Sequence, residues 1–277
     1  MSGGTARVSA TFWLLDAPDS LSAQSHREPD GTGLGVFDAE GRPQVFKQPL
    51  AAYADRAFAR EAREVQSRTF IAHIRYASTG KIAARNTHPF EQAGRLFAHN
   101  GVIGDLDRLD AELGEARSLV AGETDSERFF ALITKHIEAG ADVPDAITQA
   151  ASWVAANLPV FALNVILITG SDLYALRYPD THELHWLERE PGEELDHRGT
   201  PGEVRVRSGH LAEHPSVVVA SEPMDDDPGW RALQAGELLH ADGALNVRVR
   251  TVLREAPAHP LTLADLDPRA AASQRKQ

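Results

Sequence analysis

The stretch LFAHNG at residues 96–101 and the stretch GETDSERFFALITKHIEA at residues 122–139 are the part of the chain that decides its fold. The first reads as a short apolar strand that ends in Asn100-Gly101, a pair that favours a tight turn. The second carries apolar residues at helical spacing, which predicts an amphipathic helix over 126–139. A strand, a polar turn and a helix are therefore the central unit.

The segments on either side of this unit complete the predicted architecture. A hairpin turn is predicted at 38–41, and further helices are predicted over 54–65 and 146–156. Further strands are predicted over 70–76, 161–169, 173–178, 185–188, 217–220 and 245–253. Because strands, helices and then many strands follow one another without a parallel βαβ rhythm, we expect an α+β fold with antiparallel sheets layered against helices.

The chain shows no internal repeat and no long linker, so we expect a single domain over residues 1–255. Residues 256–277 are rich in Pro, Ala and Arg and lack periodicity, which predicts a flexible C-terminal tail. Site residues should therefore lie before position 256.

The composition excludes several classes of protein. The 277 residues include 28 Lys and Arg against 40 Asp and Glu, a formal charge of −12, and 42% are hydrophobic. These values are typical of a soluble globular protein, and they argue against a long basic surface for nucleic acid. No apolar run reaches the roughly 20 residues of a membrane helix, and no signal peptide is recognisable. We expect a cytoplasmic protein without a nucleic-acid or membrane partner.

The residues that usually bind metals or cofactors are sparse. The sequence contains no cysteine, which excludes disulfides, thiolate metal sites and thiol nucleophiles within these 277 residues. His182 and His185 lie close together, but solvated surface histidines are commoner than metal ligands. The glycine-rich run at 31–35 leads into a strand instead of a helix, so it does not predict a dinucleotide site. We expect no metal and no other cofactor.

Four short polar segments lie at the ends of predicted strands or helices, where functional residues concentrate. They are RYASTG at 75–80, NTHPF at 86–90, HNG at 99–101 and GETDSE at 122–127. Their closeness in the sequence indicates one site in this part of the chain.

Residues of three of these segments suit the recognition of an amino-acid amide. Arg75 is either a structural ion-pair partner or a clamp that grips a carboxylate through two parallel hydrogen bonds. Asp125 either starts a helix, with Thr124 or Asp125 as the cap, or receives a substrate ammonium group. Asn100 and the backbone N–H of Gly101 form either a hairpin turn or two donors for a developing oxyanion.

The ordered set RYAS, NTHPF, AHNG and GETDSE resembles the class II glutamine amidotransferases of the N-terminal-nucleophile hydrolase superfamily, and in particular a stand-alone subfamily without a fused synthase domain. The resemblance is strongest over 70–127 and extends, through SHREPDG at 25–31, over most of the first half. Each motif alone is weak, but the four in this order are highly specific. The resemblance implies a four-layer αββα sandwich with two antiparallel sheets between helices.

The resemblance also implies a role for each site residue. Arg75 is similar to the residue that grips the α-carboxylate of glutamine, and Asp125 to the partner of its α-ammonium group. Asn100 and Gly101 are similar to the oxyanion hole. His88 resembles a histidine near the substrate loop, for which a structural hydrogen bond is an equal alternative. The implied reaction is hydrolysis of the side-chain amide of glutamine, or of a γ-glutamyl amide, through a γ-glutamyl thioester.

The nucleophile departs from the family pattern. Members begin with a Cys that removal of the initiator Met exposes, and its own α-amine serves as the base. Ser2 is only a weak candidate here, because Ser2-Gly3-Gly4 is a poor start for a buried strand. We therefore expect Met1 to be an internal position of the natural protein, preceded by the strand that carries the Cys. The 277-residue chain should then bind substrate weakly, should not turn it over, and should be less soluble than a longer form.

Two functions are left open by the missing Cys. The protein is either an enzyme completed by an upstream Cys or an inactive protein that keeps the glutamine pocket as a binding or regulatory module. If it is an enzyme, the released ammonia or amine either leaves freely or passes to an ammonia-accepting synthase partner, and no second domain identifies such a partner. The small-molecule substrate is a glutamine or γ-glutamyl compound in either case.

Overall fold

A computed structural model describes residues 1–76, 80–192 and 213–274. The helices are α1 (Leu21–Gln24), α2 (Arg56–Glu64), α3 (Leu106–Leu113), α4 (Asp125–Glu138), α5 (Val143–Asn157) and α6 (Pro268–Ser273). The strands are β1 (Gly31–Phe37), β2 (Pro43–Gln48), β3 (Phe70–Arg75), β4 (Phe90–Gln92), β5 (Arg95–Ile103), β6 (Pro159–Ile168), β7 (Leu173–Leu176), β8 (His185–Arg189), β9 (Ser216–Ala220), β10 (Arg231–Ala232), β11 (Glu237–Ala241), β12 (Val247–Thr251) and β13 (His259–Pro260).

The described strands form three sheets. The largest has the order β12-β11-β7-β6-β5-β4, all antiparallel, and β13 joins it in parallel with β6. Two three-stranded antiparallel sheets have the orders β2-β1-β3 and β10-β8-β9. The predicted α+β class with antiparallel sheets is confirmed, but two smaller sheets stand where the resemblance implies one.

Three hydrophobic clusters show how the layers stack. The first packs the large sheet against α3, α4 and α5, and Phe129 is one of its fully buried members. The second fills the space between the large sheet and the smaller sheets, with Leu96 on one side and Val217 on the other. The third packs the opposite face of the smaller sheets against α1, α2 and a helical turn at Phe12–Asp16. The order helix, sheet, sheet, helix is the predicted four-layer αββα sandwich.

Strand β5 crosses the centre of the molecule, and its side chains alternate between two layers. Leu96 and Ala98 face the smaller sheets, whereas Phe97 and His99 face α4. Asn100 follows the alternation of Leu96 and Ala98, so it faces the space between the sheets.

The tight turn predicted at Asn100-Gly101 is wrong. Both residues lie inside β5, opposite Asn164 and Leu163 of β6. The chain turns only after the strand, where Asp105 adopts a left-handed φ of 51°. The reason is that pairing with a ten-residue strand outweighs the local turn preference of an Asn-Gly pair.

Part of the C-terminal segment packs on the domain, although the sequence predicts a flexible tail from residue 256. The backbone N–H of Leu261 donates to a carbonyl of β6, which continues the pairing of β13. In α6, Ala270 is buried, and Arg269 bonds the Asp30 carboxylate at 2.9 Å. These contacts hold the strand at His259–Pro260 and the helix at Pro268–Ser273 against the domain, and the mobility predicted for 256–277 stays a prediction.

The first two residues lie between the two smaller sheets. Ser2 bridges Thr69, which precedes β3, and Val217 of β9, and it exchanges hydrogen bonds of 2.7 and 2.9 Å with Val217. The Met1 ammonium donates to the Phe70 carbonyl at 2.9 Å, and the Met1 carbonyl accepts from the Phe70 N–H at 2.8 Å. Burial lowers the pKa of this ammonium from 8.0 to about 5.

The buried ammonium makes a testable contribution to the pH dependence of stability. Because its pKa is lower in the folded than in the unfolded chain, the unfolded chain binds more protons between pH 5 and 8, and the free energy of unfolding rises with pH in that window. The difference between 8.0 and about 5 corresponds to roughly 4 kcal/mol. Urea unfolding from pH 5 to pH 8, with Met1 verified by intact mass, measures this slope.

A chain that carries additional residues before Met1 is the matched control, because an ordinary amide then replaces the ammonium. The histidines and carboxylates are identical in the two proteins, so their contributions cancel in the comparison. Equal slopes in the two proteins would contradict the burial of this ammonium.

Candidate active site

A cavity of about 380 Å³ is lined by residues of the large sheet, of both smaller sheets and of the helical layer that covers them. All five residues that the sequence assigns to substrate binding or to the oxyanion hole line it, namely Arg75, His88, Asn100, Gly101 and Asp125. The four polar segments therefore meet at one place in the fold. Residues 77–79 of the first segment lie outside the described residues.

Arg75 ends β3, and its side chain is buried, with 4% of the residue exposed. Its Nη1 donates to the Lys81 carbonyl at 3.2 Å. Burial lowers the pKa of the guanidinium, while the Asp30 and Asp125 carboxylates act in the opposite direction. An arginine stays charged at neutral pH even when its pKa is lowered, so the cavity wall holds a permanent cation.

Asp125 is the first residue of α4, and Thr124 is the cap, as one of the two predicted alternatives states. The Thr124 hydroxyl accepts from the Glu127 N–H at 3.2 Å, which caps the helix. The Glu127 carboxylate accepts from the N–H groups of Gly122 at 2.6 Å and Ala121 at 3.1 Å, so it fixes the loop that precedes the cap. Asp125 Oδ2 accepts from the Ile103 N–H at 2.9 Å. A backbone donor and the helix N-terminus thus stabilise a buried negative charge on the cavity wall.

Asn100 and Gly101 line the cavity from the large sheet. Gly101 is required by close approach, because a Cβ at this position would lie 1.9 Å from the Ala162 carbonyl oxygen and 2.8 Å from His99 Nε2. Asn100 lies beside Asn164 of β6, whose side chain bonds the Tyr178 N–H and the Glu183 carbonyl. The backbone that carries the two predicted oxyanion donors is therefore closely packed.

Two buried histidines, His88 and His99, and the partly buried His73 line the polar end of the cavity. The rings of His73 and His88 lie 4.2 Å apart, centre to centre. Burial lowers the pKa of His73 to about 3, and burial also lowers the pKa of His88 and of His99. All three imidazoles are therefore neutral near pH 7, and the cationic side chains that act on them are Arg75 and, at His88, also Lys47.

The hydrogen bonds of His99 fix its tautomer. Nε2 lies 3.1 Å from the Ala162 carbonyl, which can only accept, so Nε2 carries the proton. Nδ1 then accepts from the Ser126 hydroxyl at 3.0 Å. His99 thus ties β5 to β6 and to the start of α4, next to Asn100 and Asp125.

Asn86 joins two of the polar segments. Its Nδ2 donates to the Lys81 carbonyl at 3.0 Å and to the Glu123 carboxylate at 3.2 Å, and its Oδ1 accepts from the Glu123 N–H at 2.9 Å. Because Asn86 is fully buried, these bonds hold the loop of residues 80–88 against the start of α4.

Sequence reasoning did not assign several residues of the cavity wall to the site. Glu28 is one of them, and burial together with the neighbouring Glu222 carboxylate raises its pKa to about 7. Gln274 is another, and its Oε1 bonds His182 Nε2 at 2.9 Å. Glu28 belongs to the SHREPDG segment of the resemblance, which could have indicated it, whereas no local pattern marks Gln274.

The weaker candidates from the sequence, namely Ser2, the histidines at 182 and 185 and the glycine-rich run, lie in the following surroundings. Ser2 is fully buried, and its Oγ accepts from the Gly4 N–H at 3.3 Å. His185 lies 3.6 Å from Glu183, whereas His182 bonds Gln274, so the two histidines have different partners. No group of three His, Cys, Asp or Glu side chains suited to a metal ion occurs among the described residues. The glycine-rich run at 31–35 lies in β1.

The close packing of Gly101 leads to a stability prediction. We expect Gly101→Ala to lower the free energy of unfolding by about 1–3 kcal/mol, because the added methyl group overlaps the Ala162 carbonyl. Urea unfolding measures the change, and Gly170→Ala is the matched control, since its nearest neighbour lies 3.8 Å away. A stability loss no larger than that of the control would contradict the described packing.

Residues 15–267 match the family described as glutamine amidotransferases class-II. The chain is 31% identical over 235 residues to the γ-glutamyl-hercynylcysteine sulfoxide hydrolase of Mycobacterium tuberculosis, which covers 81% of this chain and 84% of that protein. It is also 28% identical over 220 residues to the putative glutamine amidotransferase YafJ of Escherichia coli. This match covers 75% of this chain and 83% of that protein.

Solved structures show the same fold. A glutamine aminotransferase class-II domain protein from Silicibacter pomeroyi superimposes with a TM-score of 0.56 at 22% identity, over 79% of this chain and 90% of that one. An allosteric regulatory enzyme of purine biosynthesis superimposes with a TM-score of 0.64 at 19% identity, over 89% of this chain and 47% of that one. No helix in the described part of the chain is long and apolar enough to cross a membrane.

Proposed function

Because this chain belongs to the class II glutamine amidotransferases, we propose that its cavity binds a free γ-glutamyl compound and that the protein, completed by an N-terminal Cys, hydrolyses the amide of that compound. The observation that supports this most is that Arg75, Asp125, Asn100 and Gly101 line one cavity. A cation, an anion and two hydrogen-bond donors are the groups needed to hold glutamine and to stabilise the reaction of its side-chain amide.

Arg75 and Asp125 hold the α-carbon end of the substrate in this proposal. The guanidinium forms two parallel hydrogen bonds with the α-carboxylate, and the Asp125 carboxylate pairs with the α-ammonium group. Both side chains are nearly fully buried, at 4% and 2% exposure, so their charges act in a medium of low dielectric constant. The pair therefore selects substrates with both a free α-amine and a free α-carboxylate.

Asn100 and the backbone N–H of Gly101 stabilise the oxyanion that forms on the side-chain carbonyl. Preorganised donors of this kind contribute most when they are rigidly held. The position of both residues inside β5, with Gly101 packed on Ala162 and His99 bonded to Ala162, supports such rigidity. His88 contributes by packing, with its neutral ring between His73 and Phe90.

The reaction proceeds in two stages. The sulfur of the N-terminal Cys attacks the amide carbon while the thiol proton passes to the α-amine of the same Cys. The carbon–nitrogen bond then breaks, the α-ammonium returns the proton to the departing nitrogen, and ammonia or an amine leaves a γ-glutamyl thioester. Water attacks the thioester, which releases glutamate and restores the thiol.

The departing group distinguishes glutamine from larger γ-glutamyl amides. The relative from M. tuberculosis is named for a γ-glutamyl substrate with a large amine part, and its chain is matched over 84% of its length. We infer that this protein also acts on γ-glutamyl amides of amines larger than ammonia and releases the amine into solution. Transfer of ammonia to a separate synthase is the alternative fate, and it predicts that glutamine is the better substrate.

A second candidate function follows from the absence of cysteine in the 277 residues. A protein that keeps the buried Arg75–Asp125 pair without a nucleophile would bind a γ-glutamyl compound and release it unchanged. Such a protein would act as a sensor or regulatory module.

One experiment separates these functions. The genomic codons before Met1 are read, and the protein that they specify, here called the Cys-extended protein, is assayed with glutamine and with a panel of γ-glutamyl amides. We expect glutamate release from the Cys-extended protein and none from the 277-residue chain. A stop codon directly upstream, the absence of an in-frame Met-Cys within a few residues, or an inert Cys-extended protein that still binds glutamine would favour the binding module.

A further inference from the structure

We propose that Gln274 is a specificity-determining residue that contacts the departing amine of the substrate. It favours γ-glutamyl amides of amines that carry a second amino group over those of amines that carry a carboxylate. This inference rests on the proposed function and names the class of amide that the cavity suits best.

Helix α6 bridges two sides of the cavity. Near its start, Arg269 bonds the Asp30 carboxylate at 2.9 Å, and the Asp30 N–H donates to the Arg75 carbonyl at the end of β3. Directly after its last residue, Gln274 bonds His182, which lies between β7 and β8. The helix thus connects a smaller sheet with the turn that leaves the large sheet, and its end forms part of the cavity wall.

The segment before α6 fixes the position of this helix. Leu261 and Leu266 pack against a cluster of β5 and β6 that includes Phe161. Ala270 of α6 is buried, and Gln274 itself is only 6% exposed. Gln274 is therefore held in the cavity wall by packing as well as by its own hydrogen bonds.

The hydrogen bonds of Gln274 leave room for a ligand. Its Oε1 can only accept, so the bond of 2.9 Å to His182 Nε2 has the histidine as donor. Its Nε2 donates to the Ser273 hydroxyl at 3.1 Å. An amide oxygen has two lone pairs, so Oε1 can accept a second hydrogen bond from a ligand in the cavity.

Gln274 lies on the side of the oxyanion residues that is opposite to Asp125. Asp125 accepts from a backbone N–H of β5, and α4 packs against β4 and β5. On the other side of β5, Asn100 lies opposite Asn164 of β6, whose side chain bonds the Glu183 carbonyl at 3.1 Å. The residue before Glu183 bonds Gln274. The wall therefore runs from Asp125 past Asn100 to Gln274, and the departing amine extends toward Gln274.

Carboxylates give this end of the cavity a negative charge. Among the described residues, Glu28, Glu183 and Glu222 line the cavity. Glu183 and Glu222 lie at the same end of the β8–β9 pair, each two residues beyond the terminal pair of these strands. Glu28 is close to Glu222, because burial and the Glu222 charge together raise the pKa of Glu28 to about 7. Arg27 offsets part of this charge through an ion pair of 3.3 Å with Glu222.

An acceptor oxygen surrounded by carboxylates suits a cation. A second ammonium group on the departing amine would donate to Gln274 Oε1 and would be attracted by Glu183, which adjoins the partner of Gln274. A carboxylate at the same place would meet an acceptor and like charges, which is unfavourable. The γ-glutamyl amide of a diamine is therefore the substrate class that this wall favours.

Binding to the 277-residue chain tests this inference without a catalytic step. Isothermal titration calorimetry compares glutamine with the γ-glutamyl amides of propylamine, diaminopropane and β-alanine, which have chains of matched length and differ in terminal charge. Gln274→Leu removes the carboxamide at similar volume, and Gln274→Glu keeps an acceptor and adds a negative charge. Gln234→Leu is the matched control, because Gln234 is exposed and is not among the residues that line the cavity.

We expect the normal chain to bind the diaminopropane amide at least about 10-fold more tightly than the β-alanine amide. Gln274→Leu should lower the preference for the diaminopropane amide over the propylamine amide by about 10-fold, the effect of losing a hydrogen bond to a charged group. Gln274→Glu should increase this preference, and Gln234→Leu should retain it. Melting temperatures verify that each variant is folded.

The outcomes separate this inference from the proposed function. A preference that survives Gln274→Leu and does not increase with Gln274→Glu would overturn the assignment of Gln274. Equal losses of affinity for all four ligands would show that Gln274 only supports the fold. Tighter binding of the β-alanine amide would overturn the amine class. Binding of glutamine but of none of the amides would overturn this inference alone, whereas binding of none of the four ligands would contradict the proposed function as well.

Discussion

Replacing Arg75 with alanine in the Cys-extended protein is expected to lower kcat/KM for glutamine by roughly 10²–10³-fold, or about 3–4 kcal/mol, since truncating one partner of a buried charge pair costs this much. The Asp125 carboxylate would then remain on the cavity wall without the cation whose charge it now offsets. The kcat/KM of the Arg75→Lys protein should lie between the values of the normal and the Arg75→Ala proteins, because an ammonium keeps the charge but loses the planar pair of donors.

A substrate analogue makes the Arg75 prediction specific. Glutaminol has an alcohol in place of the α-carboxylate, so the normal protein should discriminate strongly against it and the Arg75→Ala protein should not. Arg108→Ala is the matched control, because Arg108 is exposed and bonds Asn157 far from the cavity wall. Equal losses toward glutamine and glutaminol would show that Arg75 supports the fold instead of gripping the carboxylate.

Asn100→Ala is expected to lower kcat by roughly 10²–10³-fold with little change in KM, the effect of removing one oxyanion-hole donor. The charge on the carbonyl oxygen develops only as the thiol attacks, so the ground-state complex does not depend on this donor. Steady-state kinetics of the Cys-extended protein with glutamine measure the two parameters. Asn157→Ala removes an equivalent amide at the surface of α5 and should leave both unchanged.

The split between kcat and KM decides the assignment of Asn100. A raised KM with an unchanged kcat would mean that Asn100 binds the substrate amide before reaction. Full retention of turnover would remove the oxyanion role altogether. Melting temperatures of the Asn100→Ala and normal proteins show whether β5 remains paired with β6, which is necessary for either conclusion.

The residues of the candidate site could be selected from the sequence because they occur in short motifs with a local physical reason. Thr124 caps α4 and Glu127 lies in its first turn, so the start of α4 and the position of Asp125 could be predicted from the residue preferences of helix N-termini. Arg75 followed from the end of an apolar strand. The alternation of β3 and β5 then brought the predicted residues to one cavity.

The parts that sequence reasoning missed depend on long-range pairing. Asn100-Gly101 has the composition of a turn and becomes strand only because β6 lies beside it. Strand β11 was not predicted, because its Leu, His and Ala residues have no strong strand preference. The strand expected over 245–253 is shorter and spans Val247–Thr251. Gln274 reaches the cavity through a helix of only six residues, which has no distinctive sequence signature.

The division of the outer layer into two smaller sheets also depends on long-range pairing. Each strand pair of the outer layer follows from its own apolar pattern, but the spacing between β3 and β9 depends on the isolated bridges that Ser2 makes to Thr69 and to Val217. The resemblance implied one sheet in this layer, and the described chain has two, joined through Met1 and Ser2.

Met1 and Gln274 both line the same cavity, and this affects how the protein should be handled at the bench. An affinity tag fused before Met1, or one fused close behind Gln274, would be attached next to a residue of the cavity wall. Purification handles or fluorophores belong instead in the solvent-exposed hairpin between β1 and β2, where a Cβ added at Gly41 would meet no atom within 4 Å beyond its chain neighbours. Activity lost through tagging either end would otherwise be mistaken for an inactive protein.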